Sequence, residues 1–489
     1  MKKTLSLLLA VVMVVSMFAC LGASALADEE VPTVVWYMVG GGQPANYDSW
    51  KAKVDAYLEE KIGVHLDIQC VSWGDWGDRR SVIVQTNEPY DIIFTDSGSY
   101  ISDVNMGAFA DLSELIKEVP ALTDVIPEDY LKACEIDGKL YAIPAYKDSS
   151  MTQFFVWTKE YVEDHPEYAD AHTIADIGPI LEAVQEATGD VFLMNKDGIS
   201  AIIGNKYDNF GTGLPTIGIS YTSGENKIVP VFEQEDVLAD LRLMHEYFNA
   251  GLINSDAAVA DEATGMCALG VAQGWPSAGD TVWGPGRGCD VVVSQFEDTV
   301  LSNDTVQGSM ACISASSEHQ LEALKVLELV NTDSWLRDAL AYGEEGVNFE
   351  YVQDKDTGET GVYKLNNDWT LAAYTQGTFF DMTLEATKDE DADTYTVPEN
   401  YYVNEVQVQN ENATPSPALG FIFNAEPVAD ELAACQAIFA EYKGLIQTGT
   451  GDPDVEVPNM MEAMRAEGFD DIVAEAQSQF DAWLAATQA

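Results

Sequence analysis

A chain of 489 residues with 47% hydrophobic and 10% aromatic residues is long enough to form two or more domains with sizeable cores. Its 24 basic and 82 acidic side chains give a formal net charge of −58. This charge excludes nucleic-acid binding, because the phosphate backbone demands cations, and disfavours an anionic membrane surface. The acidic surface itself indicates solubility, and an anionic ligand would need a local basic pocket.

Residues 1–27 are predicted to be a secretory signal peptide. Lys2 and Lys3 precede an uncharged apolar stretch at 5–19, and an A-x-A cleavage signal ends at Ala27. An uncleaved anchor is disfavoured because the apolar stretch falls short of the ~20 residues of a spanning helix. Lipid attachment at Cys20 is the main alternative to cleavage after Ala27, although the usual leucine three residues earlier is missing. Either route predicts an extracellular or cell-envelope location.

Residues 34–63, which follow the predicted signal peptide, show the strand and helix pattern of an open α/β sheet. An apolar run at 34–39 reads as a buried strand, three glycines follow, and apolar residues at helical spacing run to Gly63. Asn46 or Asp48 is the predicted cap of that helix. A second apolar run at 64–71 completes a strand, loop, helix, strand unit, in which ligands bind beyond the carboxyl ends of the strands. We therefore expect residues 41–43 to line a ligand cleft.

Two further strands are predicted to end at the same sheet edge. The run at 64–71 leads into a glycine-rich loop with Trp73 and Trp76, and the run at 90–94 is followed by Asp96. Farther along, strands are predicted at 153–157 and 290–293, and a hairpin joins 349–352 to 362–365. Helices are predicted at 78–85, 174–188, 235–250, 318–330, 427–444, 460–466 and 470–486, with a linker at 448–454.

No catalytic or cofactor motif is found. The three glycines lack the Gly-Lys-Ser/Thr of a P-loop and the spacing of a dinucleotide fingerprint. The histidines are scattered, residues 274–279 do not form a nucleophile elbow, and residues 452–456 lack the EF-hand spacing. Six cysteines follow the signal segment without a C-x-x-C pair, which favours buried free thiols over disulfides. We predict a protein that is not an enzyme and needs no cofactor or metal.

Several segments, in order, resemble bacterial extracellular solute-binding proteins, the receptor components of ABC importers. Residues 138–144 followed by 154–159 resemble the crossing between the two lobes of such proteins, and 311–317 resemble the return crossing. Residues 37–43, 342–349 and 420–423 resemble the carbohydrate-type branch with an extended C-terminal region. Asn348 and Phe349 stand where that branch has histidine and tyrosine. The likeness covers nearly all of the chain after the signal segment.

The resemblance implies an α/β, two-lobed, periplasmic-binding-protein-like fold of type II. Each lobe is expected to hold a mainly parallel sheet flanked by helices, and a multi-crossing hinge joins the lobes. Lobe 1 is expected to comprise 28–147 plus 313–360, and lobe 2 to comprise 148–312 plus 361–489. Crossings are expected near 146–154, near 308–313 and after about 360.

The resemblance also implies a receptor that captures a sugar or oligosaccharide in the cleft by hinge closure. Its expected partners are this small-molecule solute and the ABC permease subunits in the membrane, and the receptor itself is expected to be a monomer. Peptides or other polar solutes remain alternative ligands. A secreted carbohydrate-active enzyme and a surface adhesin or sensor outside transport are the rival classes.

Candidate ligand-binding residues follow from sugar chemistry, because sugar rings pack their C–H faces on aromatic planes and their hydroxyls need polar neighbours. Trp275, in Gly-Trp-Pro, is the best single candidate, since it matches the platform position in the second lobe of carbohydrate-binding relatives. Each tryptophan could instead fill the core beneath its loop, and Asp96 could cap a helix. Tyr342 and Asn348 enter only through the resemblance. The full set is Gln43, Trp73, Trp76, Asp96, Tyr146, Asp148, Trp275, Trp283, Tyr342 and Asn348.

Overall fold

The computed structural model describes residues 31–263, 267–380 and 382–487. The predicted signal peptide, with Cys20 and the cleavage site after Ala27, lies outside the described residues. Eighteen strands are present in the described chain. They are β1 (Thr33–Gly40), β2 (His65–Ser72), β3 (Ile92–Thr95), β4 (Glu135–Ile136), β5 (Lys139–Leu140), β6 (Ala142–Pro144), β7 (Met151–Thr158), β8 (Tyr207–Asp208), β9 (Ile217–Ser220), β10 (Ile228–Pro230), β11 (Leu269–Gln273), β12 (Val291–Leu301), β13 (Met310–Ile313), β14 (Phe349–Gln353), β15 (Thr360–Lys364), β16 (Thr387–Asp389), β17 (Thr394–Thr396) and β18 (Thr414–Pro415).

The α-helices of the described residues flank these strands. They are α1 (Tyr47–Ile62), α2 (Trp76–Thr86), α3 (Tyr100–Asn105), α4 (Pro120–Val125), α5 (Glu128–Lys132), α6 (Lys159–Val162), α7 (Ile174–Thr188), α8 (Ala201–Gly204), α9 (Glu235–Asn249), α10 (Gly284–Arg287), α11 (Asn303–Val306), α12 (Gln320–Thr332), α13 (Ser334–Tyr342), α14 (Val408–Asn412), α15 (Ala429–Gln447), α16 (Pro453–Ala466) and α17 (Phe469–Thr487). Two segments have π-helical geometry, Gly279–Trp283 and Tyr402–Gln407.

The first sheet has the strand order β2-β1-β3-β13-β6. β1 runs parallel to β2 and β3, as the strand, loop, helix, strand pattern predicts. β13 returns from a distant part of the chain and runs antiparallel to both β3 and β6. The carboxyl ends of β1, β2 and β3 therefore share one edge, where the polar loops after them meet.

The second sheet has the order β11-β7-β12-β18 and is mainly antiparallel. β7 is antiparallel to β11 and to β12, and only the short pair of β12 with β18 is parallel. The expectation of a mainly parallel sheet in each lobe is wrong here. Apolar runs identify buried strands, but strand direction depends on how the connections return, and β7 pairs with partners more than a hundred residues away.

Two large hydrophobic cores share the chain. The first is built from the segment that ends at Tyr146 and from residues of β13, α12 and α13. The second is built from residues between Phe155 and Phe296 and from the C-terminal helices as far as Phe480. The chain thus changes core after Tyr146, again after Phe296, and a third time in its last third. The lobe limits expected from the sequence stay a prediction.

Helix termini show where local signals decide the structure. Gly63 ends α1 with a φ of 71°, and its N–H reaches the carbonyls of Leu58 and Glu59. Asn46 occupies the predicted N-cap position of α1, but its side chain does not cap the helix, because its amide donates to Asn348 Oδ1 at 2.7 Å. α16 begins at Pro453, inside the predicted linker, because the Asp452 carboxylate accepts the N–H of Asp454.

The described residues bear on the predicted state of the cysteines and on the presence of a membrane-spanning helix. The six cysteines there are free thiols, and four of them are buried: Cys134, Cys267, Cys312 and Cys435. Within residues 31–487, apart from the gaps given above, no helix is long and apolar enough to span a bilayer.

Candidate ligand cavity between the two cores

A cavity of about 640 Å³ lies between the first core and the second sheet. Ala341 and Tyr342, at the end of α13, form one wall, and Thr281, from the π-helical turn after β11, belongs to the opposite side. The segment between β15 and the second π-helical turn supplies most of the rest. The lining residues are Thr281, Ala341, Tyr342, Lys364, Leu371, Ala373, Phe379, Met382, Leu384, Glu385, Thr387, Thr396, Pro398, Tyr401 and Tyr402.

Aromatic rings form a continuous row along this cavity. Trp275 stacks nearly parallel on Tyr401, with ring centroids 5.2 Å apart and planes 8° apart. Tyr401 touches Tyr402 at 4.1 Å between centroids, and Tyr402 lies 4.8 Å from Phe379. We call Trp275, Tyr401, Tyr402 and Phe379 the aromatic row. Trp275 is more than a hundred residues from the other three members, so folding brings it to them.

Polar groups accompany the row. Lys364 and Glu385 form an ion pair at 2.6 Å, and the Tyr342 hydroxyl donates to the Thr383 carbonyl at 2.7 Å. Burial raises the pKa of Tyr401 and of Tyr402, so both phenols stay protonated at neutral pH. A protonated phenol both donates and accepts hydrogen bonds, as a hydroxyl-rich ligand requires.

The helical segment 402–412 holds the tryptophan loop, which we define as residues 274–283, in place. The Glu405 carboxylate accepts hydrogen bonds from the Ser277 N–H and hydroxyl, both at 2.9 Å. Gln409 donates to the Gly274 carbonyl at 3.3 Å. Tyr401, Glu405 and Gln409 recur every four residues and so face one side. The sequence analysis did not identify this segment as part of the site. Its one signal in the sequence was the four-residue spacing that begins at the first residue of the tyrosine pair 401–402.

α13 holds the opposite wall. Arg337 is fully buried, and both of its terminal nitrogens donate to the Ala373 carbonyl at 3.3 Å. Burial lowers the pKa of Arg337 to about 10, which still leaves it charged at neutral pH. The Asp338 carboxylate accepts the N–H of Thr383 at 2.9 Å and its hydroxyl at 2.6 Å. Two neighbouring side chains thus fasten both ends of an irregular wall segment.

Four of the predicted site residues lie in or beside this cavity. Tyr342 lines it, and Trp275 is part of the aromatic row. Trp283 packs on Phe154 at 5.7 Å, beneath the tryptophan loop. Tyr146 is buried, edge-on to Phe380 at 5.0 Å, next to the wall segment. Each could influence a ligand, directly for the first two and through packing for the others.

The remaining predicted site residues do not line the cavity. Trp73 is 53% exposed, and Asp148 pairs with Lys147 at 2.5 Å. Trp76 is buried against Phe94 at 5.7 Å, which is the core-filling alternative for a tryptophan. Asp96 accepts the N–H of Gly98 at 3.1 Å, a turn contact rather than a helix cap.

Gln43 and Asn348 use their amides inside the protein. Gln43 donates to the Ile68 carbonyl at 2.9 Å and accepts the Cys70 N–H at 3.0 Å. Asn348 is buried, accepts from Asn46 at 2.7 Å, and accepts the Glu344 N–H at 3.0 Å. Direct ligand contacts by these two side chains stay a prediction.

The glycines after β1 face another part of the chain. The Gly41 N–H donates to the Thr370 carbonyl at 2.7 Å, and the Thr370 hydroxyl donates to the Gly42 carbonyl at 2.7 Å. A Cβ added to Gly40 would lie 2.6 Å from the Thr370 carbonyl oxygen. Thr370 thus buries Gly40 but leaves Gly41 and Gln43 exposed, and the expectation that residues 41–43 line the ligand cleft stays a prediction.

Other sites were compared with this cavity. A second cavity, of about 510 Å³, lies between α9 and α16 and is lined only by residues of the second core and its surface. Among the described residues no group of three or more histidine, cysteine or acidic side chains has the geometry to hold a metal ion.

Comparison with known proteins places the chain in a family. Residues 52–357 match the model described as bacterial extracellular solute-binding protein. The chain belongs to this family. The resemblance seen in the sequence is thereby confirmed, and the family consists of binding proteins. Residues 417–485 also match a domain of unknown function, DUF3502.

A curated relative covers almost the whole solute-binding protein. The carbohydrate ABC transporter substrate-binding protein of Streptococcus pneumoniae serotype 4 (strain ATCC BAA-334 / TIGR4) is 29% identical over 478 residues, 93% of this chain and 91% of the relative. The chain is also similar to a crystal structure of the N-glycan transport solute binding protein NgtS of S. pneumoniae. That structure is 28% identical, covers 93% of this chain and 99% of its own, and gives a TM-score of 0.78.

Two further NgtS structures contain ligands. The complex with Man1GlcNAc is 27% identical, covers 93% of this chain and 99% of its own, and gives a TM-score of 0.67. The complex with Man5GlcNAc is 28% identical, covers 93% of this chain and 98% of its own, and gives a TM-score of 0.63. The solute-binding protein described here therefore has the two-lobed type II fold, and the fold-class prediction is confirmed apart from the strand directions of the second sheet.

Proposed function

We propose that this protein is the extracytoplasmic receptor of an ABC importer and captures an oligosaccharide in the cavity between its two cores. The aromatic row carries this proposal. Sugar rings offer C–H faces to aromatic planes, and such packing adds about 0.5–1.5 kcal/mol beyond the burial of area. A cavity of about 640 Å³ is within the usual range for small-molecule sites.

The relatives support a carbohydrate ligand over a peptide. One relative is described as a carbohydrate ABC transporter protein, and NgtS has been crystallised with Man1GlcNAc and Man5GlcNAc. We propose that this chain takes neutral oligosaccharides of the same class. The lining agrees, because its charged groups Lys364 and Glu385 neutralise each other at 2.6 Å and leave no net charge to select an ion.

We propose that the ligand touches Trp275, Tyr342, Tyr401 and Tyr402 inside the cavity. Trp73, half exposed on the first-core side, is a second platform for longer chains. Gln43 and Asn348 are proposed as further ligand contacts from the first lobe. The other predicted residues act by support, holding the loops and the crossing around the cleft: Trp76, Asp96, Tyr146, Asp148 and Trp283.

The proposed mechanism is hinge closure between the lobes, with limits near residues 147, 312 and 360. Ligand contacts on both sides exist only in the closed form, so binding shifts the population towards it. The three NgtS structures give TM-scores from 0.78 to 0.63 against this chain, although they are one protein. That spread supports a fold whose lobes change their relative position.

Export and transport complete the proposal. The family is extracellular, and residues 1–27 would direct export, with cleavage after Ala27 favoured over lipid attachment at Cys20. The closed monomer would then dock on ABC permease subunits. Mass spectrometry of the mature N-terminus tests the cleavage, since a diacylglyceryl-cysteine start contradicts it.

Calorimetry with the purified mature protein tests the ligand class. We expect binding of Man1GlcNAc or Man5GlcNAc and no heat from tripeptides of similar size. Tyr402→Ala should weaken sugar binding about tenfold, because it removes the centre of the aromatic row. Tyr168→Ala, which changes a partly buried tyrosine that packs on the second core and does not line the cavity, is the matched control. Binding of peptides without sugars would overturn the carbohydrate assignment.

A further inference from the structure

Three passages of the chain between the cores meet at one serine. The Ala145 N–H, on the first passage, donates to the Ser309 carbonyl at 2.9 Å. The Ser309 hydroxyl donates to the Thr375 carbonyl, on the third passage. Ser309 itself lies just before β13 on the second passage and is only 6% exposed. One buried residue therefore binds all three passages together.

Asn410 makes the second such connection. Its Oδ1 accepts hydrogen bonds from the Ser150 hydroxyl at 2.8 Å and from the Ser150 N–H at 3.2 Å. Its Nδ2 donates to the Lys147 carbonyl. Asn410 is 5% exposed, so these bonds are shielded from water. The turn at 147–150, where the chain leaves the first core, is thereby fastened to the helical segment 402–412.

That same segment begins at the aromatic row. Asn410 lies eight residues after Tyr402, or about two helical turns along one face. The intervening residues 402–407 have π-helical geometry, which is rare and often found at functional sites. The segment therefore connects the ring that faces the cavity with the turn at the first passage, without a flexible link between them.

We propose that Asn410 is a positioning residue for lobe closure, which couples the aromatic row to the chain crossing at 147–150. By holding the turn at both Lys147 and Ser150, Asn410 keeps the crossing part of the second-core body. Rotation between the lobes is then confined to the chain before Lys147 and to the passages joined by Ser309. The proposal rests on the proposed function, since closure around a ligand is what the hinge serves.

A purely structural role for Asn410 makes a different prediction. A buried amide that only satisfies backbone groups would, when removed, lower the free energy of unfolding and leave the affinity of the folded protein unchanged. A positioning role also raises the Kd of the protein that remains folded, because a looser crossing must be ordered each time the lobes close. The two roles are therefore separated by measuring affinity and stability on the same samples.

The experiment uses the full mature chain with Asn410→Ala, Ser150→Ala and the double variant. We expect Asn410→Ala to raise the Kd for Man5GlcNAc about tenfold. Ser150→Ala should raise it less, because the Ser150 N–H still reaches Asn410. The double variant should have the same Kd as Asn410→Ala alone, because Ser150→Ala removes only a hydrogen bond that Asn410→Ala has already removed. Asn412→Ala is the matched control, because its amide bonds only the Val408 carbonyl of its own helix.

The outcomes separate this proposal from the proposed function. An unchanged Kd in Asn410→Ala, with folded protein, overturns the coupling. If Asn410→Ala does not fold, Ser150→Ala decides by the same criterion. If the unmodified protein binds no sugar, the proposed ligand is wrong, and small-angle X-ray scattering of the ligand-free variants decides instead. A wider range of interlobe distances in Asn410→Ala than in Asn412→Ala supports the coupling, and identical scattering contradicts it.

Discussion

The glycine loop after β1 and the tryptophan loop after β11 look alike in sequence and differ in the folded protein. Both follow a strand, and both contain glycine beside residues suited to sugars. Thr370 of the same chain bonds this loop twice, accepting the Gly41 N–H at 2.7 Å and donating its hydroxyl to the Gly42 carbonyl at 2.7 Å. Trp275 instead stacks on Tyr401 beside the cavity. The first loop bonds to Thr370, and the second lies beside the candidate cavity.

The difference shows that a glycine after a strand indicates close approach of another group to the backbone. It does not indicate whether that group is a ligand or another part of the protein. At Gly40 the partner is the protein, because an added Cβ would lie 2.8 Å from the Cys70 sulfur as well as 2.6 Å from the Thr370 oxygen. At Gly274 the added Cβ would meet the Trp283 ring at 2.8 Å. There the glycine lets two tryptophans share one short loop at the cavity.

The largest expected effect tests the packing role of the glycine loop. Gly40→Ala should lower the free energy of unfolding by about 2–3 kcal/mol, because the new methyl group would meet two backbone atoms that cannot easily move, the Thr370 oxygen and the Ala372 nitrogen. Urea unfolding followed by fluorescence measures it. Gly74→Ala, in a neighbouring loop where an added Cβ meets nothing within 4 Å, should change stability by less than about 0.5 kcal/mol. Equal stability of the two variants would remove the distinction between the loops.

The next effect tests the tryptophan loop. Trp275→Ala should weaken oligosaccharide binding by about 1–1.5 kcal/mol, roughly tenfold, because the row loses its outer ring. The protein should stay folded, since Trp275 is only partly buried. Calorimetry measures the affinity, and circular dichroism checks the fold. Trp335→Ala, which removes a ring stacked on Tyr57 away from the cavity, is the control and should bind normally. Unchanged binding by Trp275→Ala would exclude it from the site.

A smaller effect is expected from removing the Thr370 hydroxyl, which bonds the glycine loop. Thr370→Val keeps the shape of the side chain and removes the hydroxyl that donates to Gly42. The lost bond should cost about 1 kcal/mol of stability, with sugar affinity unchanged. Chemical denaturation and calorimetry on the same preparation test both parts. A loss of affinity without a loss of stability would mean that the glycine loop does contact the ligand.

The smallest effect concerns Trp73, which stands beside the glycine loop and is 53% exposed. Trp73→Ala should weaken binding of Man5GlcNAc by about 0.5 kcal/mol and leave Man1GlcNAc unaffected, since only a longer chain would reach from the cavity to this ring. Titrations with both sugars test the difference. An equal loss for both would place Trp73 inside the cavity instead.

Local signals predicted much of the fold. α7 begins and ends at the predicted residues, Ile174 and Thr188, and Gly63 ends α1 as expected. The direction of β7 and β12 was not predictable, because a continuous apolar run is the same in either direction. Tyr401 and Tyr402 were missed because no apolar stripe marks their segment, and a four-residue spacing of polar side chains does not by itself identify a ligand site. The pairing of Gly41 with Thr370 joins residues 329 positions apart, which no local pattern records.

The cavity has a consequence for how such receptors diversify. Among its described lining residues, all except Thr281 lie within 341–402, a stretch whose described strands belong to neither of the two large sheets and which bridges the first only at Leu371. Recombination across that stretch would exchange most of the lining at once, and the fold would be kept where the new segment retains the contacts that Thr370, Ala373 and Thr383 make with the first core. A bacterium could thereby acquire a new nutrient specificity in one genetic event, and a protein engineer could graft one by replacing the same 62 residues.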